Sequence, residues 1–353
     1  MLNLTWQAFL LHQGAQIEAG QMVYFDAASN EHLITQDDTV LCALSQFGIL
    51  KFSGEDASSF LQNLCSNNIK AVTHNQAQLS SLNTAKGRVL ATFLIWQTGV
   101  DYFLQLPCSL IASIQKKLSM YVLRSKVKIE DISTQLVCFG IAGKKASTLL
   151  QASIDGVSST LFSVAQQPGL SIICVANPNK ERFQIYTTPE HAITLWQQLS
   201  THARPMSSSY WDWLNICAGI PVVLAATQEQ FVLQMLNFDI LGGVSFKKGC
   251  YPGQEIVARM HYLGKLKQRT YLAHIASDIA PQANDPLFSD DFLDQISGNI
   301  LNAAPAPHGG YDVLATLHSS SFNNALSVHW NSPAGVVLNF LTQPYTLPAG
   351  NAA

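Results

Sequence analysis

The chain has 353 residues, 48% of them hydrophobic and 12% charged, with a formal net charge of −3. That composition excludes a disordered chain, and the charge excludes a protein that binds nucleic acid through its overall balance. At about 150 residues per domain the length predicts two or three domains.

No Lys or Arg precedes Lys51. The start MLNLTWQAFLLHQGAQ therefore lacks the basic region of a secretory signal and the arginines of a mitochondrial presequence. No apolar run reaches the roughly 18 residues of a membrane span. These features predict a cytoplasmic protein without membrane contact.

Residues 48–106 read as an α/β unit. Residues 48–52 form a short strand. Ser53 is placed to cap a helix beginning at Gly54, with Asp56 three residues on, and Phe60, Leu61 and Leu64 share the helix's apolar face. Residues 79–82, 89–96 and 100–106 read as strands, the last two joined by a turn at Gln97-Thr98-Gly99. Pro107 opens a helix over 108–122, with Leu110, Ile111, Ile114, Leu118 and Val122 at helical spacing.

A second unit follows, with strands at 126–132 and 135–141 and a short helix after Gly143 through Leu150. Strands at 172–176 and 183–187 flank the turn Asn177-Pro178-Asn179. Helices at 189–202 and 208–218 precede Gly219 and Pro221. Beyond residue 268, strand-like pieces at 270–276, 295–302, 311–317, 325–330 and 335–340 alternate with Pro, Gly, Asn and Ser. This texture predicts a small antiparallel barrel or sandwich, with 303–310 (AAPAPHGG) as a loop and a frayed tail after Gln343. Trp6, Trp96, Trp211 and Trp213 are core candidates, and Trp211 is also suited to stack on a flat ring.

Seven cysteines lie at 42, 65, 108, 138, 174, 217 and 250, without a CxxC pair or a zinc-like Cys/His quartet. Cys138 and Cys174 sit in apolar runs and read as small buried hydrophobes. Cys250 differs. In FKKGCYPGQEIVAR, residues 246–259, it follows Gly249, which admits a positive φ, and Pro252-Gly253 forces a turn after it. The loop displays the thiol. A free thiol has a pKa of about 8.5, and the neighbouring Lys247 and Lys248 would favour its thiolate. Such a group attacks electrophiles and binds soft metals. One cysteine cannot hold an iron–sulfur cluster, which takes about four protein ligands, so no permanently bound metal is expected. Six basic residues, Lys247, Lys248, Arg259, Lys265, Lys267 and Arg269, face one acid, Glu255, in this stretch. That strip suits a local anionic partner or a solvated face.

KGCYPGQE, residues 248–255, resembles the K-G-C-[FY]-x-G-Q-E signature of the YgfZ family of folate-binding proteins. Gly219-Ile220-Pro221, Gln234-Met235-Leu236-Asn237, Val257-Ala258-Arg259 and Gly264-Lys265 are similar to the family's flanks, as are Gly54-Glu55-Asp56-Ala57, Lys86-Gly87-Arg88 and Arg124-Ser125-Lys126-Val127 upstream. The resemblance runs from about residue 45 to 270. It implies an α+β fold shared with the T protein of the glycine cleavage system: two interleaved α/β parts around a central cavity, plus a C-terminal antiparallel β-barrel. The corresponding ranges are a folate-binding region at 1–265, with subdomains at 1–125 and 126–225 and the signature segment at 226–265. The barrel takes 266–345 and the tail 346–353. The resemblance also implies tetrahydrofolate as cofactor and a role in assembling or repairing iron–sulfur client enzymes, including one that methylthiolates tRNA.

On that reading Cys250 is the reactive group and Lys248 supports it. Gln254 and Glu255 fix the loop. Lys86 and Arg88 suit the folate's glutamate tail or another anion, and equally a polar turn with outward charges; Gln234, Asn237 and Asp239 are candidates for the pterin or for capping and supporting turns. Arg259 either contacts ligand or, if this piece is helical, pairs with Glu255 four residues earlier. The alternative activity is folate-dependent aminomethyl transfer, as in T protein. There the resemblance places Asn68 where T protein has an aspartate, and Cys217 where it has a glutamate that pairs with the pterin. An amide does not titrate near neutrality and cannot replace a general base. A third reading is a tRNA-binding factor acting through the 247–269 strip.

Overall fold

The structure is a computed structural model and describes residues 3–18, 22–25, 38–176, 181–264 and 266–348. The turn expected at 177–179, Lys265 and the last part of the tail lie outside the described residues. The chain forms two compact units, both discontinuous: 1–61, 69–78 and 93–211 in the first, and 62–68, 79–92 and 212–353 in the second. These units cut across the contiguous subdomain ranges drawn from the sequence.

The first unit holds a six-stranded sheet in the order Val164–Gln167, Leu170–Cys174, Arg182–Thr187, Val137–Ala142, Val40–Ala43, Arg204–Met206. Every pair is antiparallel except the last. Helices Leu4–His12 and Pro189–Leu199 share a core cluster with this sheet. Ala192, Leu195, Trp196 and Leu199 recur at helical spacing and are all buried. Trp196 meets Trp6 edge-on at 5.4 Å and Phe139 at 5.6 Å. The helix starts cleanly because the Thr188 side chain accepts from His191 N, and Pro189 stands in its first turn.

In the same unit Lys128–Asp131, Phe47–Ser53 and Asp101–Pro107 run antiparallel, with the end of Val89–Thr98 beside the last of them. The helix Cys108–Val122 buries Leu110, Ile111, Ile114 and Leu118, as its periodicity predicts. Pro107 precedes it with φ −53.

The second unit contains a six-stranded antiparallel sheet, in the order Val328–Trp330, Pro286–Ser289, Ile296–Pro305, Tyr311–His318, Gln268–Ile275, Leu338–Phe340. His329 and Val337 bridge beside its two edge strands, so the sheet nearly closes as a barrel. Tyr271, Ala273 and Ile275 point inward with Val313, Ala315 and Leu317, the period of two that a half-buried strand requires.

Several expected boundaries move, each for a physical reason. Ser53 pairs with Lys128 as a strand residue, so it caps nothing. The helix starts later, as Ala57–Leu64, and the Asp56 carboxylate accepts from Lys126 N at 2.8 Å instead. Thr98 pairs with Asp101, which narrows the expected turn to Gly99-Val100, with Gly99 at φ +60. The strand Ile296–Pro305 consumes the first part of the expected 303–310 loop. Helices Leu4–His12 and Gln254–Tyr262 and the strand Pro286–Ser289 were not expected.

Trp211 is a core residue and not a stacking platform. It is fully buried; Arg182 lies over its ring at 4.3 Å, and Gly140 lies against its edge. A Cβ at position 140 would come within 2.3 to 2.7 Å of that ring. Gly140→Ala should therefore destabilise the fold by about 1–3 kcal/mol through overpacking, read as a lower denaturant midpoint. An unchanged midpoint would show that the indole has room to shift.

Candidate functional site

All contacts described here lie within the second unit. Its segment 62–68 lies against 79–82 and 242–248. Ser66 donates from Oγ to Gly243 O at 2.7 Å and accepts from Ser81 N at 2.9 Å. Asn67 is buried and spends Nδ2 on Leu79 O at 2.9 Å and Gly242 O at 2.7 Å. Its Oδ1 accepts from Asn68 N at 2.9 Å. Ser245 N donates to Ser66 O at 3.1 Å.

Lys248 joins the two stretches. Its ammonium donates to Gln62 O at 2.5 Å, Cys65 O at 2.6 Å and Asn67 O at 3.1 Å, and lies 5.1 Å from the centre of the Tyr251 ring. An ammonium has three donors, and all three are used. None remains for a hydrogen bond to Cys250. Burial lowers the Lys248 pKa to about 8, partly opposed by Cys65. Burial pushes the Cys65 thiol up to about 12, against the pull of the Lys248 charge.

Cys250 is exposed, whereas the other six cysteines are buried or half-buried, and none of the seven is in a disulfide. Gly249 before it is not among the residues at positive φ; the required glycines are Gly253 and Gly87. Gly253, at φ +81, precedes the helix Gln254–Tyr262. A Cβ there would sit 2.5 Å from Thr84 O and from Gly87 Cα. Gly87, at φ +72, packs against Ile256. The 84–88 turn and the start of this helix are thus in backbone contact. Gln254 reaches Lys248 O from Nε2 at 3.4 Å, a long bond, while Glu255 and Arg259 are exposed on the helix.

The other expected site residues divide. Lys86 is exposed, and Arg88 donates to Gln230 O at 2.6 Å. Asn68 is half-buried in the 62–68 segment. Asn237 and Asp239 serve structure: Arg269 donates to Asn237 Oδ1 at 2.9 Å and forms a two-pronged pair with Asp239 at 3.1 and 3.0 Å. Asn237 Nδ2 donates to Thr270 O and Tyr345 Oη. Arg269 is thereby removed from the free basic strip. Gln234 donates to Val257 O at 2.7 Å, but its Oε1 is buried with no hydrogen-bond partner among the protein's described atoms. Asn83 Nδ2 and Tyr251 Oη are in the same condition. Asn83 adjoins the 84–88 turn, Tyr251 lies two residues before Gly253, and Gln234 holds the helix's first turns. Sequence reasoning passed over Asn83 and Tyr251; a tyrosine next to the displayed cysteine was the available signal.

Among the described residues, no three His, Cys, Asp or Glu side chains gather as a metal-ligand set, and no helix is long and apolar enough to cross a membrane.

Residues 7–209 match the family described as the GCVT N-terminal domain. The tRNA-modifying protein YgfZ of Colwellia psychrerythraea is 31% identical over 319 residues, covering 88% of this chain and 95% of the relative. This chain belongs to the YgfZ family. A relative of the same description from Yersinia pseudotuberculosis is 31% identical over 280 residues, covering 79% of this chain and 84% of its own length. The glycine cleavage system aminomethyltransferase T of Bartonella henselae shares the fold, with a TM-score of 0.80 at 14% identity and 97% coverage of both chains. The family membership and the T-protein-like α+β fold read from the signature are both met.

Lys248 makes a pH test available. Unfolded, it sheds its proton near 10.5; folded, near about 8. Between those values the unfolded chain holds more protons, so rising pH stabilises the fold. Cys65 acts oppositely from 9.0 upward, because the unfolded thiol ionises first. Over the window from pH 8 to 9, the native chain should gain stability relative to Lys248→Met, measured by denaturant titration. Parallel curves would show that the ammonium is not desolvated.

Proposed function

We propose that this chain is a folate-binding accessory protein that supports the assembly or repair of iron–sulfur enzymes, including a tRNA-methylthiolating enzyme, through Cys250. The observation that carries the reading is the exposure of this one cysteine out of seven, inside the family signature. Support for its link to tRNA modification comes from the description of the relatives.

The loop's architecture suits a thiol that must meet a large partner. Its base is held by the Lys248 ammonium and by the close approach of Gly253 to Gly87. Its tip, Gly249-Cys250, stands in open space. The sulfur is thus presented from a braced loop, which lowers the entropy lost on meeting a client's cluster or a reactive intermediate.

The orphaned polar atoms bear on tetrahydrofolate. A pterin edge offers both donors and acceptors. Gln234 Oε1 is a buried acceptor without a partner, and Asn83 Nδ2 and Tyr251 Oη are donors without acceptors. These groups fit such an edge, and exposed Lys86 fits the anionic tail. When bound, tetrahydrofolate supplies nitrogen atoms that carry one-carbon units. Here the protein's part is to bind and orient it. The aminomethyltransferase reading is weaker, because Asn68 offers no titratable group.

Cys250→Ser tests the reading. The exposed position predicts a melting transition like that of the native chain. Tetrahydrofolate binding by calorimetry should persist. Support of tRNA methylthiolation should vanish in a strain lacking the native protein. Full rescue by the serine variant would remove the thiol from the mechanism.

A further inference from the structure

The end of the helix Gln254–Tyr262 carries a cluster of rings. The Phe246 ring stacks on His261 with centroids 3.8 Å apart and planes 14° from parallel. Tyr262 meets Phe246 edge-on at 6.3 Å and His261 at 4.8 Å. These rings remain largely in solvent: Tyr262 is 66% exposed, His261 is exposed, and Phe246 is half-buried. Exposed Leu263 follows them.

Cations lie close to these rings along the chain. Lys247 adjoins Phe246 in the chain. Arg259 lies three residues before Tyr262 and so on the same side of the helix. Lys267 follows a few residues later. All three are exposed, and none pairs with a carboxylate among the described residues. Arg269 is excluded, since Asp239 neutralises it. The helix's own acid, Glu255, stands near its other end.

Solvent-exposed rings beside cations without a carboxylate partner match one ligand chemistry in particular. Unstacked bases lie on rings, while the phosphates between them meet the ammonium and guanidinium groups. A duplex offers no free base face, so its attraction would be electrostatic alone. A protein partner of the ordinary kind would meet a broader apolar core, and Leu263 is the sole exposed aliphatic in this group. We infer that Phe246, His261 and Tyr262, flanked by Lys247, Arg259 and Lys267, form a binding surface for single-stranded RNA beside the Cys250 loop. The inference does not require that Cys250 or folate act as proposed above.

The test uses the full chain and a fluorescein-labelled oligouridine followed by anisotropy over a range of salt, with an RNA hairpin stem as the duplex probe. The native chain should bind the oligouridine more tightly than the stem. His261→Ala combined with Tyr262→Ala should weaken oligouridine binding by about tenfold or more, the loss of one or two stacked bases. Tyr262→Phe should retain most of the binding. Lys247→Ala and Arg259→Ala should each flatten the salt slope by about 0.7. Circular dichroism melts check that each variant is folded. Absence of binding, equal affinity for stem and oligouridine, or an unaffected double variant would each overturn the inference. So would a double variant that loses its hold on an iron–sulfur client protein while binding RNA normally. Alkylation of Cys250 followed in parallel reads the proposed function, so either idea can fail alone.

Discussion

One buried cation organises the candidate site. The Lys248 ammonium is held by three main-chain carbonyls, at 62, 65 and 67. Carbonyls at the end of a helix have no partners within it, and burial without partners is costly. Here a side chain from far along the sequence satisfies them. The arrangement fixes two backbone stretches at once. It ties down 62–68, and it sets the base of the loop that ends in Cys250. The face of the Tyr251 ring completes the surroundings of the charge. On the other side, Gly253 and Gly87 approach so closely that only glycine is accommodated. The cysteine loop is braced from both ends.

The remaining polar residues fall into two classes with different duties. Asn237 and Asp239 gather on Arg269 and fasten the 234–239 stretch to the first strand of the barrel. Asn237 adopts a left-handed backbone, φ +57, which its many hydrogen bonds hold in place. Gln234, Asn83 and Tyr251 instead keep buried polar atoms without protein partners. Native interiors tolerate few such atoms, and these three lie on the chain around the start of the helix Gln254–Tyr262 or bond to its first turns.

Much of this was legible in the sequence. The helix Cys108–Val122 announced itself through Pro107 and the recurrence of Leu110, Ile111, Ile114 and Leu118. The barrel strands showed their period of two. The helix Gln254–Tyr262 did not, because it buries only Val257 and has no apolar stripe to read. The strand Pro286–Ser289 is four residues long and starts with proline, which demotes any strand signal. At the site, exposure of Cys250 followed from the glycines and proline around it. The role of Lys248 did not. Adjacency in sequence does not say where a flexible four-carbon stem carries its charge. The positions of Asn237, Asp239 and Arg269 likewise depend on pairing across some 30 residues, which one sequence leaves invisible. Trp211 reads as an aromatic of either use until Gly140 and Arg182 are seen against its ring.

The division of the chain has a consequence for how it is made. The first unit ends at residue 211, while the second needs 62–68 and 79–92 together with everything after 212. The contact between Lys248 and Gln62 spans 186 residues. On a ribosome adding about 5–20 residues per second, the carbonyls at 62, 65 and 67 wait roughly 10–40 seconds for their cation. During that interval the Cys65 thiol, later sealed by burial, is open to oxidants and alkylating agents. For Cys65, folding closes that stage, whereas Cys250 stays exposed.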